Sequence, residues 1–274
     1  MKLKKLLGAS ILTGAMLFNT ASAATTSATS ADRETVYQVA LLQSLALGHF
    51  DGNITVRDLK KFGDIGIGTF KGLNGEMIVL NGVVYQALQN CNVQVADDKT
   101  TVPFSNVTFF ERDFSVKLNN VADKSALESI LNEAVEKHGK NSFYMIKLPA
   151  TFNEIIIRSE LGQSKPYPTL VQALQATQHE ETLQNVSGTI VGLYCPNYMS
   201  ELNTVGWHFH FISDDKTTGG HVLNMNIRSG EAQLDKTDGF KMQLPDKKDF
   251  QSLNLAADLR EDIRKAENDS TKGD

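Results

Sequence analysis

The chain has 274 residues, 41% of them hydrophobic, which is enough to bury one large core or two moderate ones. Its formal net charge of -5 excludes the strongly basic class of nucleic-acid binders. Only two cysteines are present, Cys91 and Cys195, too far apart for a metal-binding cysteine motif. Whether they pair depends on how close the fold brings them, so the fold must be held mainly by packing.

The N-terminus has the layout of a secretory signal peptide. Lys2, Lys4 and Lys5 precede a short apolar run from Leu6 to Phe18, and Ala21-Ser22-Ala23 is a small-residue cleavage site. The apolar run is well short of the ~20 residues a membrane span needs. Residues 1–23 are therefore expected to be removed and residues 24–33 to form a polar leader. The product would be secreted or periplasmic, with no membrane association after cleavage. Loss of three lysines would take the charge from -5 to -8.

Helical spacing of apolar residues predicts a helix from Glu34 to Leu47, stopped by Gly48. Thr55 and Asp58 mark a capping-box-like start to a short helical turn. Ile65 to Phe70, Met77 to Leu80 and Val83 to Leu88 read as strands separated by Asn74-Gly75 and Asn81-Gly82, a β-meander. Further strand segments are Val107 to Phe110 and Phe114 to Leu118. Asp123 to His138 is a predicted helix with Ala126, Ile130, Leu131, Ala134 and Val135 on one face. Strands follow at Phe143 to Leu148 and Phe152 to Ile157, then a short helix after Pro168. Ser187 to Tyr194, Gly206 to Ile212 and His221 to Ile227 are the next strands, and Leu255 to Ala266 a charged terminal helix.

This pattern predicts an α+β (mixed α/β) protein: two β-sheet-based domains, with mainly antiparallel or mixed sheets and a few flanking helices. The boundary is expected near residue 140, giving an N-terminal α/β domain at 34–140 and a β-rich domain at 141–274.

The strongest chemical signal is Gly206-Trp207-His208-Phe209-His210-Phe211. On a strand, His208 and His210 project to one face and the three aromatic residues to the other, into a core. The polar loop Ser213 to Gly220 then returns the chain, and His221 opens the next strand. If the hairpin is symmetric, His221 lies opposite His210, close enough for three imidazoles to converge. Three histidines with an open position make a catalytic zinc arrangement. The plain alternative is a set of buried histidines satisfied by hydrogen bonds. His49, His138 and His179, near predicted helix ends or loops, read as surface residues.

The stretches Gly206-Trp-His-Phe-His-Phe-Ile and Gly219-Gly-His-Val resemble the metal-binding region of the acetolactate decarboxylase family. Phe62-Gly-Asp-Ile-Gly-Ile-Gly-Thr-Phe, Leu73-Asn-Gly-Glu-Met, Lys165-Pro-Tyr and Gly188-Thr-Ile-Val-Gly are similar to the same family. Their common order carries the resemblance from about Tyr37 to Glu267. It implies a zinc-dependent conversion of 2-acetolactate to acetoin and carbon dioxide, through an enediolate that zinc stabilises and that is reprotonated stereospecifically. It also implies a two-domain subunit, commonly a homodimer, with zinc in the C-terminal part. By motif, the zinc ligands fall on His208, His210 and His221. The active-site glutamates fall on Glu76 and Glu267, the active-site arginine on Arg158, and a threonine near the substrate on Thr69. The segment after Arg158 is only loosely like the family pattern. Two other readings of the same histidines stand beside this one, a secreted zinc hydrolase of a small substrate and a non-catalytic zinc-binding protein. The first lacks a His-Glu-x-x-His helix and the second a His-rich tract.

Overall fold

The computed structural model describes residues 33–200 and 202–268. The expected signal peptide, and the leader through residue 32, lie outside the described residues. In chain order, β1 (Thr35–Val39) leads to α1 (Leu42–Ala46), β2 (Ile54–Thr55) and α2 (Val56–Leu59). Next come β3 (Ile65–Thr69), β4 (Glu76–Leu80), β5 (Val83–Ala87), β6 (Val93–Val95), β7 (Thr101–Val102) and β8 (Phe104–Thr108). β9 (Phe114–Val121) and α3 (Lys124–His138) precede two strands of 17 residues each, β10 (Phe143–Ser159) and β11 (His179–Cys195), with α4 (Leu170–Thr177) between them. The chain ends with β12 (Gly206–Ser213), β13 (Gly219–Thr237), β14 (Gly239–Gln243), α5 (Lys248–Gln251) and α6 (Arg260–Asn268).

Two large sheets carry the fold. The first has seven strands in the order β14-β1-β8-β3-β4-β5-β6, antiparallel except for the parallel pair β14–β1. The second has the order β10-β11-β12-β13-β9, and β13 also pairs with β10, so four of its strands close into a ring. Closure removes an exposed strand edge, which would otherwise recruit other chains.

The alternation along β12 decides what each face does. Trp207, Phe209 and Phe211 join Phe152, Ile155 and Leu131 in the core of the second sheet. On the opposite face, Ile212 packs with Val191 and Leu193 against Ile67 and Ile78 of the first sheet. Each such side chain, fully buried, contributes roughly 1.5–3 kcal/mol. His208 and His210 share the face of Ile212, so they point at the first sheet.

Several sequence expectations hold. The meander β3-β4-β5 forms, with Asn81 and Gly82 at positive φ in the tight turn between β4 and β5. The Asn74-Gly75 connection is instead a six-residue loop, because β3 and β4 begin to pair only at Thr69 and Glu76. Thr55 caps α2 through Asp58 N, and Asp123 caps α3 through Ala126 N. The buried face of α3 includes Leu127, Leu131, Ala134 and Val135, with Ala126 and Ile130 at its edge.

Other expectations are corrected. The helix predicted from Glu34 to Leu47 is a strand followed by a one-turn helix. β1 is covered on both faces, so its buried residues lack the alternation that marks a half-buried strand. The segments Phe143 to Leu148 and Phe152 to Ile157 are one strand, kept continuous through register shifts around Phe152. Sheet membership crosses the boundary expected near residue 140 in both directions. β9 belongs to the second sheet and β14 to the first. Cys91 and Cys195 are free, buried thiols. His49 is buried rather than on the surface, edge-on to Phe250 of α5, with Nε2 3.5 Å from Asp249. That contact spans most of the chain and leaves no local signal.

Gly220 sits where β13 crosses closest to β10. A Cβ there would lie 2.4 Å from the Arg158 carbonyl oxygen, well inside contact distance. Gly220→Ala should therefore lower stability by about 1–3 kcal/mol in denaturant unfolding. An unchanged midpoint would show that the two strands separate freely at this point.

Candidate metal centre

β12 and β13 bring the three histidines together through their register. His210 pairs with His221, as the hairpin reading requires, and His208 lies two residues back on the same face. His208 Nε2 is 3.0 Å from His221 Nδ1 and 3.1 Å from His210 Nε2. His210 and His221 are buried and His208 is half-buried.

Their outer contacts fix which nitrogen faces inward. His210 Nδ1 donates to the Met77 carbonyl at 2.8 Å, and His221 Nε2 donates to the Glu267 carbonyl at 2.9 Å. In a neutral imidazole the other nitrogen then carries a lone pair. Burial keeps the rings neutral. It pushes His208 down to about 3, with Lys124 and Arg158 adding to the effect, and holds His210 and His221 well below the usual imidazole range.

Two lone pairs, on His210 Nε2 and His221 Nδ1, thus meet at His208 Nε2, and a single N–H there cannot serve both. A cation satisfies all three nitrogens at once. Tetrahedral ligands around zinc, at about 2.0–2.1 Å, stand about 3.3 Å apart, near the spacings seen between His208 and its two neighbours. The donor set therefore fits a tetrahedral cation with one open position, whereas one His208 N–H leaves one of the two facing lone pairs unserved.

All the other residues carried by the motifs reach the same cavity. Thr69, at the end of β3, Glu76, at the start of β4, Arg158, on β10, and Glu267, on α6, line it together with the three histidines. Glu76 Oε2 stands 3.5 Å from His210 Nε2, and Glu267 Oε2 stands 3.2 Å from His208 Nε2. Burial raises both carboxyls above the usual range. Glu160 raises Glu76 further, and Arg158 opposes the rise in both cases. Arg158 donates through Nη1 to Glu76 Oε1 at 3.1 Å and through Nη2 to the Ala266 carbonyl at 2.8 Å, while its buried Nε has no partner among the described residues. Thr69 uses its hydroxyl hydrogen on the Gly75 carbonyl at 2.9 Å, so toward the cavity it offers only an acceptor.

The C-terminal helix reaches the site, although over other bounds than the expected Leu255 to Ala266. α6 begins only at Arg260. Ile263 and Ala266 are buried against α1 and α4, with Leu259 beside them. The opposite wall of the cavity is apolar, formed by Leu42, Leu45, Leu73, Phe104, Leu170 and Leu174. One charged residue of the cavity escaped the sequence reading: Glu160, 1% exposed, with Oε2 3.4 Å from Arg158 Nη1. Its spacing of two from Arg158, at the end of a strand, is the signal that places both on one side.

The family model described as alpha-acetolactate decarboxylase matches residues 36–257. An alpha-acetolactate decarboxylase from Methanosarcina mazei is 40% identical over 85% of this chain and 80% of its own length. One from Brevibacillus brevis is 36% identical over 87% and 83%. Among solved structures, the alpha-acetolactate decarboxylase of Bacillus subtilis strain 168 superposes with a TM-score of 0.82 at 30% identity. That match covers 86% of this chain and all of the other.

Replacing any one of His208, His210 or His221 by Ala should leave the purified protein without stoichiometric metal, since two imidazoles hold a divalent ion far more weakly than three. Elemental analysis decides it. Full metal content in any one variant removes that residue from the ligand set.

Proposed function

The chain belongs to the alpha-acetolactate decarboxylase family of carboxy-lyases, and on that premise we propose that it converts 2-acetolactate to acetoin and carbon dioxide, with zinc held by His208, His210 and His221. The observation that carries this reading is the convergence of three neutral imidazoles beside a guanidinium and buried carboxyls in one cavity. Bound there, zinc would supply a Lewis acid for the negative charge that develops on the substrate's ketone oxygen.

The substrate is its own electron sink. When carbon dioxide leaves, the bonding electrons pass to the adjacent ketone, so neither thiamine nor pyridoxal is needed. Arg158 Nε, buried and without a partner among the described residues, is one N–H available to the substrate's carboxylate. A guanidinium is a poor proton donor, so Arg158 orients rather than protonates. Glu76 Oε2 and Glu267 Oε2 flank the imidazoles, and their raised affinity for protons suits them to take the hydroxyl proton and return one to carbon. The leucine-rich wall excludes water and strengthens these charge interactions. The N-terminal sequence pattern supports export of the protein.

Zinc-loaded protein free of thiamine diphosphate should release acetoin and carbon dioxide in equal amounts from 2-acetolactate. A requirement for added thiamine diphosphate would contradict the mechanism. Glu267→Gln keeps the backbone carbonyls that Arg158 and His221 use, so metal content and Tm should stay near wild type while kcat falls by about 100-fold or more. Ending the chain at Ala266 would be a less clean test, because it also removes the Glu267 carbonyl that holds His221. Full activity in Glu267→Gln would leave the residue with a docking role only.

A further inference from the structure

Glu76 makes two contacts with one carboxyl group. Oε1 accepts from Arg158 Nη1 at 3.1 Å, and Oε2 stands 3.5 Å from His210 Nε2. Both run from the first sheet to the second, so they tolerate little movement of the Glu76 backbone. Yet Glu76 is the first residue of β4, and the chain enters it through Gly75, which has φ +79°. A glycine is required there, since a Cβ would lie 2.1 Å from the Ala87 carbonyl oxygen. Gly75 is thus indispensable to the turn and, by itself, the freest joint in it.

Two side chains take that freedom away. Thr69 donates its hydroxyl hydrogen to the Gly75 carbonyl at 2.9 Å, and Gln86 donates through Nε2 to the Asn74 carbonyl at 2.7 Å. These carbonyls belong to the peptide units on either side of Gly75, so the joint is held before and after itself. The earlier half of the loop is tied separately. Lys71 N–H donates to the Thr101 carbonyl and Gly72 N–H to the Phe50 carbonyl.

Gln86 acts from the face of the sheet turned away from the cavity. On β5 it pairs with Met77 while Ala87 pairs with Glu76, and alternation sends the two pairs to opposite faces. Met77 and Val84 share its face and belong to the apolar core there. Gln86 is 6% exposed, and its Oε1 accepts from Gln94 Nε2, directly opposite on β6, at 3.0 Å. An amide bonded at both ends has one orientation. Nothing in the ladder calls for an amide at this position: Val84, two residues back, is the residue type such a face takes. Its bonds do not depend on a cation among the imidazoles, which lie beyond the other face of the sheet.

We propose that Gln86 is a positioning residue for the reaction: by holding the Asn74–Gly75 peptide it fixes the Glu76 carboxyl between Arg158 and His210. The proposal rests on the decarboxylase reading for the rate it affects, not for the placement of Glu76.

Gln86→Met keeps the unbranched shape and removes the amide. In metal-loaded protein its kcat for 2-acetolactate should fall about tenfold, with KM, metal content and Tm near wild type, because only the Glu76 carboxyl is displaced. A purely structural role would instead lower Tm and metal content together with kcat, and that result overturns the proposal. In a Glu76→Gln background the same substitution should change kcat by less than about twofold, since no carboxyl is left to place. Losses that add in full, or an unchanged kcat in the single variant, also overturn it. Gln86→Leu carries the same expectations should Gln86→Met fold poorly. Crystal structures of metal-loaded wild type and variant are compared without any turnover. The Glu76 carboxyl should leave its wild-type position beside Arg158, and an unmoved carboxyl overturns the proposal. If wild type leaves 2-acetolactate unchanged, the decarboxylase reading fails and this comparison still decides whether Gln86 places Glu76.

Discussion

His221 is paired on both sides at once, opposite His210 across the β12–β13 ladder and opposite Arg158 across the β10–β13 ladder. The whole site depends on this double register. A slip of one residue in either ladder would turn His221 to the opposite face, into the aromatic core and away from the other two imidazoles. Closure of the ring β10-β11-β12-β13 prevents such a slip, because moving one ladder would strain the other three. Gly219 and Gly220 make the crossing possible by letting the backbones approach where side chains would collide. The geometry of the three imidazoles is thus a property of the ring as a whole and not of a loop.

Arg158 ties this ring to everything that closes over it. One terminal nitrogen reaches Glu76 in the first sheet and Glu160 beyond its own strand; the other reaches the Ala266 carbonyl in the C-terminal helix. The last carbonyls of a helix have no partner within it, and they carry the negative end of its dipole. Two carbonyls in the last described turn of α6, those of Ala266 and Glu267, are met by Arg158 and by His221. Docking of α6 and selection of the His221 tautomer that presents Nδ1 inward are consequently one event. A tail that looks dispensable by position holds His221 through its backbone and also brings Glu267 to the three imidazoles.

The legible parts of this site were those with a short period. His208 and His210 declare themselves by their alternation with Trp207, Phe209 and Phe211, and His221 by the length of one polar loop. The Asn81-Gly82 turn and the caps at Thr55 and Asp123 are equally local. What escaped depends on distant packing. β1 read as a helix because cover on both faces erased its alternation. The long strands read as fragments because a bulge and a polar exposed half interrupt them. His49 meets α5 across some two hundred residues of chain, so no spacing rule could bury it. Glu160 had a usable signal, its step of two from Arg158, but burial of an acid is a property of the assembled cavity. A single strand cannot display it. The sheets themselves exchange strands across residue 140 because β9 and β14 are placed by the partners they pair with, not by their order in the chain.

The two halves of the cavity are held with unequal strength, and the inequality suits their tasks. The imidazole side belongs to the closed ring, whose core includes Tyr144, Phe152, Phe209 and Phe211, each essentially inaccessible to water. The opposite side is made by α1, α4 and α6, short helices drawn from widely separated parts of the sequence. α6 docks through little more than Ile263, Ala266 and part of Leu259, an apolar contribution of only a few kcal/mol. Its hydrogen bonds to Arg158 and His221 add to that, but they form only when the helix is already in place. Local opening of such an element requires much less free energy than breaking the ring. A buried cavity must admit substrate without disturbing side chains that need sub-ångström placement. Putting the imidazoles on the ring and the apolar cover on separately docked helices meets both demands when α1 and α4 yield, because the register that positions His221 stays intact and α6 keeps its bond to that ring.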